Sequence, residues 1–459
     1  MKKLFCTLVV LLTVTQLVTA QSNEGWTSLF DGKTLNGWKK ITGSADYKIE
    51  GDAIVGITVP NSPNTFLVTE KEYGDFVLEL EVKIEDTTSN SGVQLRSHYN
   101  PEMNNGRGGK GRVYGYQYEL DPSSRRWTGG LYDEARREWL YPLSLNPGAQ
   151  HAFKLGEYNK VRVECIGNTI KTWVNGQSAA YVIDTVDKKG FIALQVHAIP
   201  KPEEAGEKIY WRNIRIQTSN IKPAAFSKGI YVADFIPNML TPYEKSDGWK
   251  LLFDGKTSSG WVGAYKTAFP AKGWEIKDGT LSVLASNGTE STNGGDIVTQ
   301  EEYSAFDLSF DFKFTPGANS GVKYFVTLTE KNAGSAIGLE YQILDDTLHP
   351  DAKLGRDGDR TLASLYDLIK ADKQKRFIHQ PGGWNTGRIV VTPDNHVIHY
   401  LNGLKVLEYD RGSATFRDLV AQSKYKVWKD FGEAPKGYIL LQDHGNAVSF
   451  RSIKIKALK

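Results

Sequence analysis

The chain of 459 residues is poor in several features that mark common protein classes. It has two cysteines, Cys6 in the first apolar stretch and Cys165 far beyond it. Once the leading segment is removed, neither an intramolecular disulfide nor a cysteine-built metal site is possible. Charge of one sign is also scarce. The 56 Lys and Arg nearly balance the 53 Asp and Glu, for a net charge of +3. That is no electrostatic footprint for nucleic acid, which is excluded as an expected partner. One apolar run stands out, Leu8 to Leu12, and Thr13, Thr15 and Gln16 interrupt it before it could span a membrane. With Lys2 and Lys3 before it and Val18-Thr19-Ala20 after it, residues 1–20 read as a cleavable signal peptide. The expected location is therefore periplasmic or secreted, with no membrane span. Gly-x-Ser-x-Gly, the phosphate-binding glycine loop and His-Glu-x-x-His are all missing. The glycine cluster Gly106, Gly108, Gly109 and Gly111 precedes no helical pattern, so a surface loop is expected there rather than a phosphate cradle.

What is present is a repeat. Gly25-Trp26-Thr27-Ser28-Leu29-Phe30-Asp31-Gly32-Lys33-Thr34 returns as Gly248-Trp249-Lys250-Leu251-Leu252-Phe253-Asp254-Gly255-Lys256-Thr257. Asn90-Ser91-Gly92-Val93 answers Asn319-Ser320-Gly321-Val322, and Leu131-Tyr132-Asp133 answers Leu365-Tyr366-Asp367. Asn175-Gly176 answers Asn402-Gly403, and Gln195-Val196-His197 answers Gln442-Asp443-His444. A period this long is a duplicated domain, not a solenoid repeat. The expected division is a first domain over 24–217, a linker over 218–245 and a second domain over 246–459. Aromatic residues in the linker (Phe226, Tyr231, Phe235, Tyr243) suggest that it packs along the domains.

Each half reads as strands. Phe76 to Ile84 and Phe306 to Phe314 alternate apolar and polar residues, the pattern of half-buried strands. Asn175-Gly176 and Asn402-Gly403 are hairpin turns. Short helical signals fall around Tyr132 to Trp139 and Ser364 to Asp372. Frequent Gly and Asn turns between short strands argue for an all-β antiparallel sandwich. Trp38, Trp173, Trp261 and Trp274 belong to the expected core.

The polar residues kept in both halves carry the candidate chemistry. In Gly115-Tyr116-Gln117-Tyr118-Glu119-Leu120-Asp121, alternation puts Gln117, Glu119 and Asp121 on one strand face. Glu340 and Gln342 share a face in the second copy, where Asp345 follows one residue later, which suggests a bulge in one copy. Polar groups gathered on a sheet face fit a wet binding groove better than a dry core. Gln195 and His197, and again Gln442 and His444, point the same way; a histidine here suits a general base or a metal ligand. Arg96 could clamp an oxyanion, but Phe325 holds its place in the second copy, and Lys323 replaces Gln94. Tyr132 and Asp133, with the counterpart Tyr366 in the second copy, fall in an expected rim loop. Trp127, Trp139, Tyr114 and Tyr116 add aromatic faces of the kind that sugar rings use.

Taken together these motifs resemble the bacterial 3-keto-disaccharide hydrolase domain family. The resemblance rests on Leu-Phe-Asp-Gly-Lys-Thr, Asn-Ser-Gly-Val, Gln117-Tyr118-Glu119-Leu120-Asp121, Gly130-Leu131-Tyr132-Asp133, Asn175-Gly176, Gly190 through His197 and Arg212-Asn213-Ile214. It implies two tandem concanavalin-like jelly-roll β-sandwiches acting on 3-keto-glycosides or 3-keto-disaccharides in the bacterial envelope. A 3-keto group acidifies the proton on C2; its removal gives an enolate, and the C1 substituent leaves, with hydrolysis or elimination as the net result. In that scheme His197 or Glu119 is the base, Arg96 and Gln117 stabilise the enolate, and Asp121 and Tyr132 act as acid or positioning groups. A divalent metal on His197 and a carboxylate could stabilise the enolate instead. Glu340 and His444 are the catalytic candidates of the second half, with Asn319, Lys323, Gln342, Asp345, Tyr366 and Gln442 around them. Asn90, Gln94, Asp133 and Gln195 are the binding candidates of the first. Two alternatives stand beside this scheme: an ordinary glycoside hydrolase pairing Glu119 with Asp121 or Asp133, and a carbohydrate-binding protein without catalysis.

Overall fold

The computed structural model describes residues 25–286, 288–329 and 336–459, and the expected signal peptide lies outside them. Each half is a sandwich of two almost wholly antiparallel sheets. A nine-stranded sheet packs on a seven-stranded one in the first half, and an eight-stranded on a five-stranded one in the second. Among the described residues the α-helices are Pro242–Ser246 and Ala414–Ala421, so the all-β, two-domain jelly-roll expectation holds. No described helix is long and apolar enough to cross a membrane.

Alternation builds the core. In Phe76–Ile84, Leu78, Leu80, Val82 and Ile84 enter the space between the sheets. Each such side chain contributes about 1.5–3 kcal/mol on burial. Glu79 and Glu81 point away and pair with Arg162 and Arg212. The same rule acts on Lys110–Leu120: Tyr116, Tyr118 and Leu120 are core, which forces Gln117 and Glu119 onto the outer face. In Ile337–Leu344, Leu339, Tyr341 and Ile343 are core while Glu340 and Gln342 face out.

The repeated opening motif is structural. Asp31 accepts hydrogen bonds from the Lys33 and Thr34 amides at 2.8 and 2.6 Å, and Asp254 does the same for Lys256 and Thr257. Trp38 and Trp261 each donate an indole N–H to the carbonyl nine residues back, Leu29 and Leu252, at 2.6 Å. Asn175 and Gly176 (φ 49° and 81°) and Asn402 and Gly403 (φ 49° and 80°) form the two-residue turns expected of them.

Three expectations fail. Tyr132–Trp139 is not helical but a hairpin of Leu131–Glu134 and Glu138–Tyr141. Its first strand finds an open sheet edge beside Gln117, and Ala135 and Glu138 take positive φ (60° and 62°), which a helix forbids. Ser364–Asp372 is likewise a set of turns bridged through Leu365 to Tyr341 and Ile369. No bulge separates the Gln117 and Glu340 strands: Ser91–Leu95 pairs regularly with Tyr116–Leu120, as Asn319–Tyr324 does with Leu339–Leu344. The extra residue, Leu344, pairs with Asn319 at the end of the ladder, and Asp345 falls just beyond it. The irregularity lies instead at Arg96 and Phe325, which share a positive φ of 48° and 51°.

The connection between the halves packs closely. Ala233–Asp234 adds a parallel strand to Val182 and Ile183 of the first sandwich. Tyr231 reaches Ser309 of the second at 3.0 Å. Glu244 forms a buried ion pair with Lys454.

Candidate active site

A cleft of about 530 Å³ opens on the outer face of the seven-stranded sheet, away from the sandwich core. Asn90, Gln117, Glu119, Tyr132 and His197 line it, so five of the sequence candidates converge there. Glu119 is 4% exposed. One carboxylate oxygen accepts from Asn90 Nδ2 at 2.8 Å and the other from Gln117 Nε2 at 2.9 Å. Burial pushes its carboxyl up to about 7, against the pull of these two amides. Gln94, fully buried, donates to Gln117 Oε1 and accepts from Ser97. It fixes the amide that fixes the carboxylate and does not itself reach the cleft.

The Asn-Ser-Gly motif now has a physical account. Asn90 holds the carboxylate, and Ser91 donates to the Gln195 carbonyl of the adjacent strand at 2.7 Å. Gly92 is bare because a Cβ there would stand 2.3 Å from Gln117 Cδ. In the second copy Ser320 bonds the Gln442 carbonyl at 2.9 Å, and a Cβ on Gly321 would meet Glu340 Oε1 at 2.2 Å.

His197 turns Nδ1 to the Ala198 carbonyl at 2.7 Å. A carbonyl can only accept, so Nδ1 carries the proton and Nε2 is left as an acceptor. Burial lowers the imidazole below its usual range and keeps it neutral. Tyr132 is held protonated, by burial first and by Glu134 and Glu138 next. Its ring meets Trp139 edge-on at 5.3 Å, and Trp139 meets Trp127 at 4.7 Å, forming an aromatic wall. Gln195 lies two residues before His197, fully buried, with neither amide atom partnered.

Other candidates lie elsewhere. Arg96 is 1% exposed and spends its guanidinium on the Gly74 and Gly167 carbonyls, both at 2.8 Å, and on Asp75 at 2.9 Å. Its left-handed backbone turns it off the cleft face, and Gly190 permits the close approach, since a Cβ there would sit 2.3 Å from the Arg96 carbonyl carbon. Asp121 lies past the end of its strand. It caps the Ser123 amide at 3.1 Å and pairs with Arg125 at 2.8 Å, and Arg125 is the residue that reaches the cleft. Asp133 alternates away from Tyr132 and binds Arg136 and Arg137. Neither aspartate shares the cleft with Glu119, which removes the proposed carboxylate pairs.

Sequence reading missed Asn64, Arg107, Arg112, Glu134 and Arg376, all of which line the cleft. Glu134 could have been found by alternation from Tyr132. Its carboxyl is raised by burial, and Arg112, 3.5 Å away, offsets part of that. Arg107 sits at the tip of the long hairpin that joins Ser91–Asn104 to Lys110–Leu120, so the glycine cluster shapes a cleft wall. Arg376 comes from the second domain, and no local signal announces it.

The second domain has a smaller pocket of about 230 Å³ in the matching place, lined by Asn319, Lys323, Glu340, Gln342, Tyr366, Gln442 and His444 among others. Register shows that the two copies exchange partners. Gly92 faces Glu119 and Gln94 faces Gln117; Gly321 faces Gln342 and Lys323 faces Glu340. Carboxylate and amide have traded places, and a lysine stands for Gln94. Glu340 is pushed up to about 7 by burial, opposed by Lys323 and Lys424. Asp345 is not in this pocket; it accepts from the Gly317, Thr347 and Leu348 amides, which hold its carboxyl below the usual range against the effect of burial. Among the described residues no three His, Cys, Asp or Glu side chains gather closely enough to hold a metal ion.

Comparison with known proteins gives the family. The model of the 3-keto-alpha-glucoside-1,2-lyase-like domain matches residues 25–217 and again 248–456. A curated relative from Bacteroides thetaiotaomicron, named 3-keto-disaccharide hydrolase, is 36% identical over 265 residues, covering 53% of this chain and 89% of its own. A crystal structure from Parabacteroides distasonis, described as that of a candidate glycosyl hydrolase, is 31% identical, with a TM-score of 0.42 over 49% of this chain and all of its own. The chain is a carbohydrate-active enzyme of the hydrolase or lyase type and belongs, twice over, to the 3-keto-alpha-glucoside-1,2-lyase-like domain family.

Proposed function

We propose that this is an exported enzyme that cleaves 3-keto-glycosides in the first-domain cleft, with Glu119 as the base. The observation that carries the reading is a buried carboxylate on the cleft floor whose proton affinity sits near neutral pH. A general base works best there, because it is both ionised and basic enough to take a carbon-bound proton. Glu119 takes the C2 proton, and the electron pair moves into the C3 carbonyl as an enolate. The enolate collapses, the C1–O bond breaks, and the leaving oxygen takes a proton. Tyr132, kept protonated and lining the cleft, is the donor assigned to that oxygen, and His197 Nε2 is assigned to accept from a sugar hydroxyl. Arg107, Arg112 and Arg125 are the cations available to the enolate now that Arg96 is assigned to the framework. Water added across the resulting C1–C2 double bond returns the C2 proton and makes the net reaction a hydrolysis.

The test is incubation with a 3-keto-glucoside and with its unoxidised parent, followed by product identification. Turnover of the keto compound alone is expected, rising with pH through about 7 as Glu119 ionises. Glu119→Gln is expected to lower kcat by about 10²–10⁴-fold. Full activity in that variant, or equal turnover of the plain glycoside, would reject the reading.

A further inference from the structure

We propose that the second domain holds a separate binding site for one uncharged monosaccharide ring. The inference does not rest on the chemistry assigned to the first cleft. It begins with unmet hydrogen bonds. Gln342 is 1% exposed, with both amide atoms unpartnered; Gln442 Oε1, Asn319 Oδ1 and His444 Nδ1 are buried and unpartnered too. All four residues line the same pocket. Buried polar atoms without partners are rare, and each costs about 1–3 kcal/mol unless something meets it. Five such atoms on four residues that line one cavity mark it as a place for a polar guest. They mix donor and acceptor, as hydroxyl groups require, and an anion would find mostly acceptors.

The exchange of side chains leaves the amide of Gln342 without the contacts that hold Glu119. Asn90 donates Nδ2 to Glu119. In the second copy Gln342 stands where Glu119 stood, and both its amide atoms and Asn319 Oδ1 are unpartnered. Lys323 and Glu340 face each other across the strands, and Glu290 lies 3.6 Å from the lysine, so the fixed charges of the floor are largely matched internally. A neutral ligand suits such a floor.

Size and access point to a single ring. The volume of about 230 Å³ is under half that of the first cleft and below the roughly 300–1,000 Å³ of sites for larger ligands. The restriction has a source in the chain. In the first domain residues 184–189 connect Gln177–Ile183 to Gly190–Val196; in the second, residues 411–436 make the matching connection. That insertion carries the helix Ala414–Ala421 and brings Lys424, Tyr425 and Trp428 over the pocket. Trp428 and Tyr366 give a ring apolar faces, and Asp351 anchors the Tyr366 hydroxyl at 2.8 Å.

The full chain would be titrated with D-glucose, D-galactose, D-mannose and N-acetyl-D-glucosamine, using ligand-observed NMR and calorimetry. At least one is expected to bind in the millimolar range or tighter. Gln342→Leu is expected to weaken that binding about tenfold, while Glu119→Gln leaves it within about twofold. Near-UV circular dichroism would confirm folding, and Asn319→Ala is the second variant should Gln342→Leu not fold. Binding lost in Glu119→Gln but kept in Gln342→Leu and Asn319→Ala would overturn the proposal, as would no binding by any of the four. Turnover of a 3-keto-glucoside by the Gln342→Leu protein reports on the first cleft separately.

Discussion

At pH 8 the Glu119→Gln chain is expected to be more stable than the native one, although it has lost the proposed base. Burial raises the Glu119 carboxyl from 4.5 to about 7. The folded chain therefore holds this proton more tightly than the unfolded chain does. The resulting stabilisation is whole below pH 4.5 and is lost as pH rises through about 7. A gap of roughly 2.5 pH units at about 1.36 kcal/mol each amounts to about 3 kcal/mol. Glutamine avoids that cost, but its NH2 must face one of the two amide donors that now serve the carboxylate, from Asn90 or Gln117. That loss is about 1 kcal/mol. The net expectation is a gain of about 2 kcal/mol at pH 8 and a loss of about 1 kcal/mol at pH 4. Urea unfolding followed by tryptophan fluorescence at both pH values measures the two differences. If variant and native chain differ equally at pH 4 and pH 8, Glu119 ionises in the fold as it does in water, and the argument for it as a base near neutrality collapses.

Three further outcomes follow from the same geometry. Arg96→Met strands the Gly74, Gly167 and Asp187 carbonyls and Asp75, and is expected to cost about 3 kcal/mol in a thermal melt with kcat of the folded protein unchanged; a fall in kcat without a fall in stability would return Arg96 to the reaction. Gly92→Ala pushes a methyl group into Gln117 and is expected to lower kcat on a 3-keto-glucoside about 10²-fold, with far-UV circular dichroism unaltered. Lys454→Met leaves Glu244 charged and buried, and should cost about 3–5 kcal/mol by urea unfolding, much of it recovered when Glu244→Gln is added.

Alternation made the floor of the site legible, since a strand whose even residues fill a core has only one place for Gln117 and Glu119. The repeat made Asn-Ser-Gly legible as a unit, though only the register shows that its glycine clears a space. Arg96 was misread because a single left-handed residue turns its side chain off the expected face, and nothing in the local sequence marks the kink. Asp133 was misread because Leu-Tyr-Asp looked like a rim loop; once it pairs as a strand, Tyr132 and Asp133 must part. Helical signals at Tyr132–Trp139 lost to an open sheet edge. Arg376 enters the cleft from the other domain, a long-range contact that local pattern does not contain.

The short strand Ala233–Asp234 belongs to neither repeat, yet it closes the flank of the first sandwich along Val182 and Ile183. An uncovered flank of backbone amides and carbonyls recruits other chains. A first half severed at Gln217 would keep Glu119 and the other strands of both sheets, lose Arg376 from its cleft and Tyr231 from its core, and offer that flank to its neighbours. Self-association of such a fragment would reflect a missing hem and say nothing of the native assembly. The intervening segment is thus part of the first domain's solubility as much as a tether to the second.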